Sequence, residues 1–109
     1  MRISIVGAYG FTGKIICEEF NKNNYSYSIY GRDIKILNKL KRGNSNIINS
    51  KSIDLRITKD VNYLIENSDI IINCAGPFTE ESFLLVEKVA ESGKIYLDIS
   101  GEIGFIKKS

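Results

Sequence analysis

The chain has no histidine and no tryptophan, a single proline, a single methionine and two cysteines. Each scarcity removes a class of function. Without histidine there is no side chain that ordinarily changes charge near neutral pH, and the commonest proton shuttle and metal ligand are both missing. No tyrosine stands four residues before a lysine, and no carboxylate pair has a spacing that fixes a shared site, so no acid–base constellation is visible. Cys17 and Cys74 fall in segments expected to be core, lack metal-ligand spacing, and read as buried reduced thiols. With 15 basic and 13 acidic residues the formal charge is +2, too small and too mixed for a field that would draw nucleic acid or an anionic membrane. Lys107-Lys108 and Lys39 to Arg42 read as solvated surface. No apolar run approaches bilayer length and the chain enters directly on a strand, so the expectation is a cytoplasmic protein with no membrane partner.

What is present begins with Ile3-Ser4-Ile5-Val6-Gly7-Ala8-Tyr9-Gly10-Phe11-Thr12-Gly13, an apolar run that breaks into three glycines three apart. This reads as strand, tight turn and helix start. In a dinucleotide loop Gly7 turns the chain out of the strand, Gly10 admits a pyrophosphate to the backbone, and Gly13 lets the helix pack on the strand. The phosphates would rest on main-chain N–H groups of the first helical turn, where the macrodipole favours negative charge. The bland alternative is a glycine-rich turn that binds nothing. Context favours the loop, since a second strand ends roughly 20 residues on, where a ribose-binding residue belongs.

Thr12 to Asn21 is predicted helical, with Ile15, Ile16 and Phe20 in its apolar stripe. Tyr25 to Tyr30 alternates like a half-buried strand, although the emerging fold would bury it on both faces. Ile34 to Arg42 forms a second helix, with Asp33 as N-cap and Gly43 as its stop. A third strand lies within Ile47 to Asp54. Thr58 would cap a third helix that buries Val61, Leu64 and Ile65. Asp69 to Ala75 is a continuous buried strand ended by Gly76-Pro77. A fourth helix starts at Thr79-Glu80-Glu81, with Phe83, Val86 and Val89 or Ala90 inward, and Gly93 closes it. Lys94 to Ile99 is a fifth strand. The order βαβαβαβαβ, with right-handed crossovers, predicts an α/β fold: a doubly wound parallel sheet of about five strands, order 3-2-1-4-5, with helices on both faces. The 109 residues and 43% hydrophobic content suit one domain with its own core.

Ligands of such sheets bind beyond the carboxyl ends of the strands, between strands 1 and 4. Gly31-Arg32-Asp33 ends the second strand there. A carboxylate at its tip would hold the two ribose hydroxyls of NAD, whereas glycine followed by arginine offers a fork to the 2′-phosphate of NADP. NADP is the expected cofactor and NAD the second choice. The alternatives are that Arg32 is a plain surface residue and that Asp33 reaches a ribose. Asn73-Cys74-Ala75-Gly76-Pro77-Phe78 would pass under the cofactor, or be an ordinary strand-ending turn. Asp54 would meet the adenine edge or serve as a plain turn aspartate. Asp98, Ser100 and Glu102 would line the nicotinamide end or cap a turn.

Four stretches together, Gly7 to Gly13, Tyr30-Gly31-Arg32, Asn73 to Phe78 and Tyr96-Leu-Asp-Ile-Ser-Gly-Glu102, resemble the N-terminal NADP-binding Rossmann domain of saccharopine dehydrogenase-like oxidoreductases. The resemblance covers nearly the whole chain, and its last two motifs are the specific ones. It implies a cofactor held by Gly7 to Gly13, by Arg32 and by Ala75 to Pro77, and hydride transfer at an imine or a carbon double bond. Relatives continue into a substrate and dimerisation domain, so the expectation for residues 1–109 is the cofactor domain alone, incomplete as a catalyst by itself. Its partners would be the dinucleotide and either a second copy of the chain or a separate substrate-domain chain. The alternative is a non-catalytic module that senses the dinucleotide and acts by oligomerising through the open edge of the sheet.

Overall fold

The structure, a computed structural model, describes residues 1–74 and 80–98. Its elements are β1 (Ile3–Val6), α1 (Phe11–Lys22), β2 (Tyr27–Gly31), α2 (Ile34–Gly43), β3 (Ile47–Ser52), α3 (Thr58–Glu66), β4 (Ile70–Asn73), α4 (Glu80–Ser92) and β5 (Ile95–Asp98). The five strands form one sheet in the order β3-β2-β1-β4-β5, with every pairing parallel. The predicted strand order holds.

Two cores explain why the strands are apolar on both sides. Ile5, Tyr27, Ile29 and Ile72 pack on one face with Leu37 of α2 and the half-buried Ile16, Cys17 and Phe20 of α1. Val6, Tyr30 and Ile71 pack on the other face with Val61, Leu64 and Ile65 of α3 and Leu85 and Val89 of α4. Alternate residues of one strand therefore serve opposite cores, as a helix-covered parallel sheet requires. The α3 stripe is as predicted. In α4 the inward residues are Leu85 and Val89, while Val86 is half-buried and Ala90 exposed. The Phe83 side chain lies outside the description. In α1, Ile15 is exposed rather than buried, and Cys17 takes part in the packing in its stead.

β2 resolves the conflict in its pattern. Tyr27 and Tyr30 look amphipathic in sequence but are 0% and 1% exposed, so the strand is buried on both faces. The Tyr27 hydroxyl donates to Asn21 Oδ1 at 2.8 Å, which pairs the polar tip inside the fold. Asp33 caps α2 by accepting from the N–H groups of Lys35 and Ile36. Gly43 is the last helical residue, and Asn44 closes the helix by donating from Nδ2 to the Leu40 carbonyl at 3.0 Å. Thr58 is the first residue of α3 rather than its cap; that place belongs to Ile57, which has no side-chain acceptor.

The two ends of the sheet differ in kind. At the amino ends Asp69 accepts from the Arg2 N–H at 2.7 Å and ion-pairs with Arg2 and Lys94, which ties β1, β4 and β5 together. At the carboxyl ends the register aligns Val6 with Tyr30 and Asn73, Gly31 with Ser52, and Asn73 with Asp98. The strands thus stop at a common level, which leaves a rim for ligand-binding loops.

Burial pushes the Tyr27 and Tyr30 phenols above the ordinary tyrosine value near 10. Because the folded values are raised, the stability from their neutral forms is complete below pH ~10 and is lost as pH climbs through the folded values. Denaturant unfolding at pH 8 and pH 11 should therefore show a loss at the higher pH that Tyr27→Phe reduces. An equal loss in the variant would place its cause elsewhere.

Candidate functional site at the carboxyl ends of the strands

The sheet's connections turn to opposite faces beyond β1 and β4, and the glycine loop sits over that divide. Gly7 donates to the Tyr30 carbonyl at 2.8 Å and adopts φ +78°, a left-handed backbone that a side chain would strain. Gly10 then bonds back to Gly7 O at 3.1 Å, and Lys14 N donates to Gly10 O at 2.9 Å to begin α1. At Gly13 a Cβ would collide with the Gly7 carbonyl and come within 2.8 Å of Ala8 main-chain atoms. Close seating of α1 on the turn demands glycine at position 13.

Gly10 differs from the other two. Its φ of −76° and ψ of 173° suit any residue, and a Cβ would make only ordinary contacts, at 3.5 Å to Gly7 O and 4.0 Å to Cys74 O. Nothing within the described protein requires glycine there. Gly10 is also the N-cap of α1, so that helix has no side-chain cap, and no acidic residue lies in its first turn. Ala8 is buried beneath the loop, Thr12 is half-buried, and Phe11 stands 70% exposed.

At the end of β2 the Tyr9 hydroxyl accepts from the N–H groups of Arg32 at 3.0 Å and Asp33 at 3.2 Å. Gly31 makes room for this, since a Cβ on it would lie 3.0–3.2 Å from the Tyr9 ring and hydroxyl. The Asp33 carboxylate is taken up in capping α2. The exposed Arg32 guanidinium lies 3.6 Å from Asp54, which is bonded far more tightly to Arg56, at 2.8 Å to Nη2 and 3.0 Å to Nε. The Arg56 side chain, then its N–H, and more weakly Arg32 hold the Asp54 carboxyl well below the usual carboxylate range. Asp54 thus organises two arginines beside the β2 and β3 tips. Arg56 went unnoticed in sequence; an aspartate two residues before an arginine just past a strand end is the signal that was available.

At the end of β4, Cys74 is buried and donates its N–H to the Val6 carbonyl at 2.8 Å, continuing the β1 ladder. Asn73 donates from Nδ2 to the Tyr96 hydroxyl at 3.0 Å, which joins β4 to β5. Ala75, Gly76 and Pro77 lie outside the described residues, as do the Asp98 side chain, Ser100 and Glu102. Cys74 is buried and Cys17 only partly so. Among the described residues no group of three or more potential metal ligands occurs, and no helix is long and apolar enough to cross a membrane.

Residues 3–105 match the model of the saccharopine dehydrogenase NADP-binding domain. The chain belongs to that family. A curated relative, the lipid droplet localized protein of Caenorhabditis elegans, is 28% identical over 97% of this chain, which spans 28% of the relative. Among solved structures, a short-chain dehydrogenase/reductase from Vibrio parahaemolyticus superposes with a TM-score of 0.70 at 16% identity, over 82% of this chain and 55% of that one. Serine dehydrogenase from Escherichia coli gives 0.70 at 14% identity, over 90% of this chain and 60% of that one. At such identities the superpositions establish the Rossmann-type fold and nothing finer. The chain spans about a quarter of the curated relative and little more than half of the two solved chains.

NADP is therefore the dinucleotide of this domain, and the site fits it: a glycine the protein does not itself require stands beside a helix start without a side-chain cap, with two arginines at the β2 and β3 tips. The two glycines separate fold from ligand. Gly13→Ala should destabilise the apo protein by about 1–3 kcal/mol through the overlap with the turn. Gly10→Ala should leave the apo melting temperature within a degree or two while abolishing the shift caused by NADPH. Thermal melts with and without NADPH measure both.

Proposed function

We propose that the chain is the NADPH-holding part of an oxidoreductase. In this reading the loop from Gly7 to Gly13 carries the pyrophosphate, Arg32 meets the 2′-phosphate, and Cys74, Ala75, Gly76 and Pro77 would contact the cofactor. Bound NADPH would supply a hydride. The chain's own residues bind and orient it, while groups that hold substrate and deliver a proton come from another domain or a second chain. Gly10 is the observation that carries this reading: among the described residues nothing calls for its missing side chain, whereas a phosphate approaching α1 would.

The absence of histidine and of a proton-transfer constellation supports a division of labour between binding and chemistry. The seats for substrate and partner are proposed at the β4 and β5 ends and along the β5 edge, and the working location is proposed as cytoplasmic. Asp33 and Asp54 enter as supports rather than ligands, since one caps α2 and the other holds the arginines.

Titration of the purified chain with NADPH and NADH, read by cofactor fluorescence, tests the binding part. NADPH should bind more tightly, and Arg32→Ala should weaken it by about tenfold, the low end of a charge-assisted contact at an exposed site. An unchanged NADPH affinity in Arg32→Ala would remove that residue from the site. The hydride-transfer part is read separately, as NADPH oxidation at 340 nm by the chain together with its substrate-holding domain or partner chain, with imine and enone acceptors. No oxidation with any acceptor would favour a sensing module instead.

A further inference from the structure

We infer that Tyr9 plugs the subsite for the 2′-phosphate and is displaced when NADP binds. The hydroxyl accepts from the Arg32 and Asp33 N–H groups at 3.0 and 3.2 Å. These two donors stand at the tip of β2 beside the Arg32 guanidinium, which itself leans on Asp54 at 3.6 Å. Two amides and one guanidinium are the set that a dianionic phosphate would recruit, and each already has an acceptor within the chain: a neutral phenol for the amides, a shared carboxylate for the arginine. A phosphate oxygen carries charge and is the stronger acceptor for all three.

The phenol is seated but not locked. Tyr9 is half-buried and, among the described residues, belongs to neither hydrophobic core. Its ring lies against Gly31, whose Cβ position would fall 3.0 Å from the ring edge, so that β2 offers a flat backbone rather than an interlocking side chain. Rotation about the Tyr9 side-chain bonds frees the amides without moving β1, β2 or α1. The 2′-hydroxyl of NAD is a neutral acceptor like the phenol and gains nothing by replacing it. Tyr9 is therefore a specificity-determining residue: it taxes NADP entry and leaves NAD indifferent.

The inference rests on the dinucleotide crevice and not on hydride transfer. A chain that binds NADPH without ever oxidising it would defeat the proposed reaction and leave this test intact. The experiment is calorimetric titration of wild type and Tyr9→Phe with adenosine 2′,5′-bisphosphate, with AMP, and with NADPH. Phenylalanine keeps the ring on Gly31 and removes the acceptor, so the variant should bind adenosine 2′,5′-bisphosphate and NADPH about five- to tenfold more tightly, on the scale of two weak hydrogen bonds at an exposed site no longer displaced, with AMP within twofold. Binding of the bisphosphate by the variant alone would carry the same meaning. Unchanged or weaker binding of the 2′-phosphorylated ligands would overturn the inference, as would an equal gain for AMP or the absence of bisphosphate binding in both proteins at millimolar concentration.

Discussion

The seating of α1 on the turn after β1 is the contact on which the rest of the structure depends. A side chain at position 13 would overlap the Gly7 carbonyl and Ala8, and Gly7 must hold a left-handed backbone to bring the chain there. That one close approach sets the direction of α1, places its uncapped first turn over the strand ends, and brings Gly10 opposite the Cys74 carbonyl. In the proposed site no basic side chain is needed at this point, because main-chain N–H groups and the helix dipole would supply the positive potential.

The sheet supplies the second condition. Its strands end at one level because the register pairs Val6 with both Tyr30 and Asn73, and the ladder continues through Gly7 N to Tyr30 O and Cys74 N to Val6 O. The loops beyond those residues therefore share one rim. The cluster at the opposite end, Arg2 with Asp69 and Lys94, joins strands. Ionic groups at the amino ends fasten the fold, while those at the carboxyl ends, Arg32, Asp54 and Arg56, stand where a ligand would arrive.

What could be read in the sequence was whatever depends on local sterics. Three glycines three apart, a run of isoleucines, and an aspartate before a helix each declare themselves within a few residues. β2 was harder, because tyrosine carries a polar tip on a large apolar ring, and only the neighbouring Asn21 shows that the tip is satisfied indoors. In α4 Val89 is buried as expected, while Leu85 was missed and Val86 is only half-buried, because Phe83, Leu84, Leu85 and Val86 make an apolar block in sequence with no phase of its own. The Tyr9 contact joins residues 23 apart and the Asp54–Arg32 pair joins two strand ends; both exist only once β1, β2 and β3 lie side by side. The role of Arg56 depends on the same alignment.

The central claim is that NADPH lies across the ends of β1, β2 and β4 with its pyrophosphate over Gly10. An amide chemical-shift map of the isotope-labelled chain, recorded as NADPH is added, tests that placement most directly. The account predicts that the largest shifts fall at Gly7 to Gly13, at Gly31 to Asp33 and at Asn73 and Cys74, with the Arg2–Asp69 end of the sheet unmoved. Shifts centred on the outer surfaces of α3 and α4, or no shifts at saturating NADPH, would contradict it.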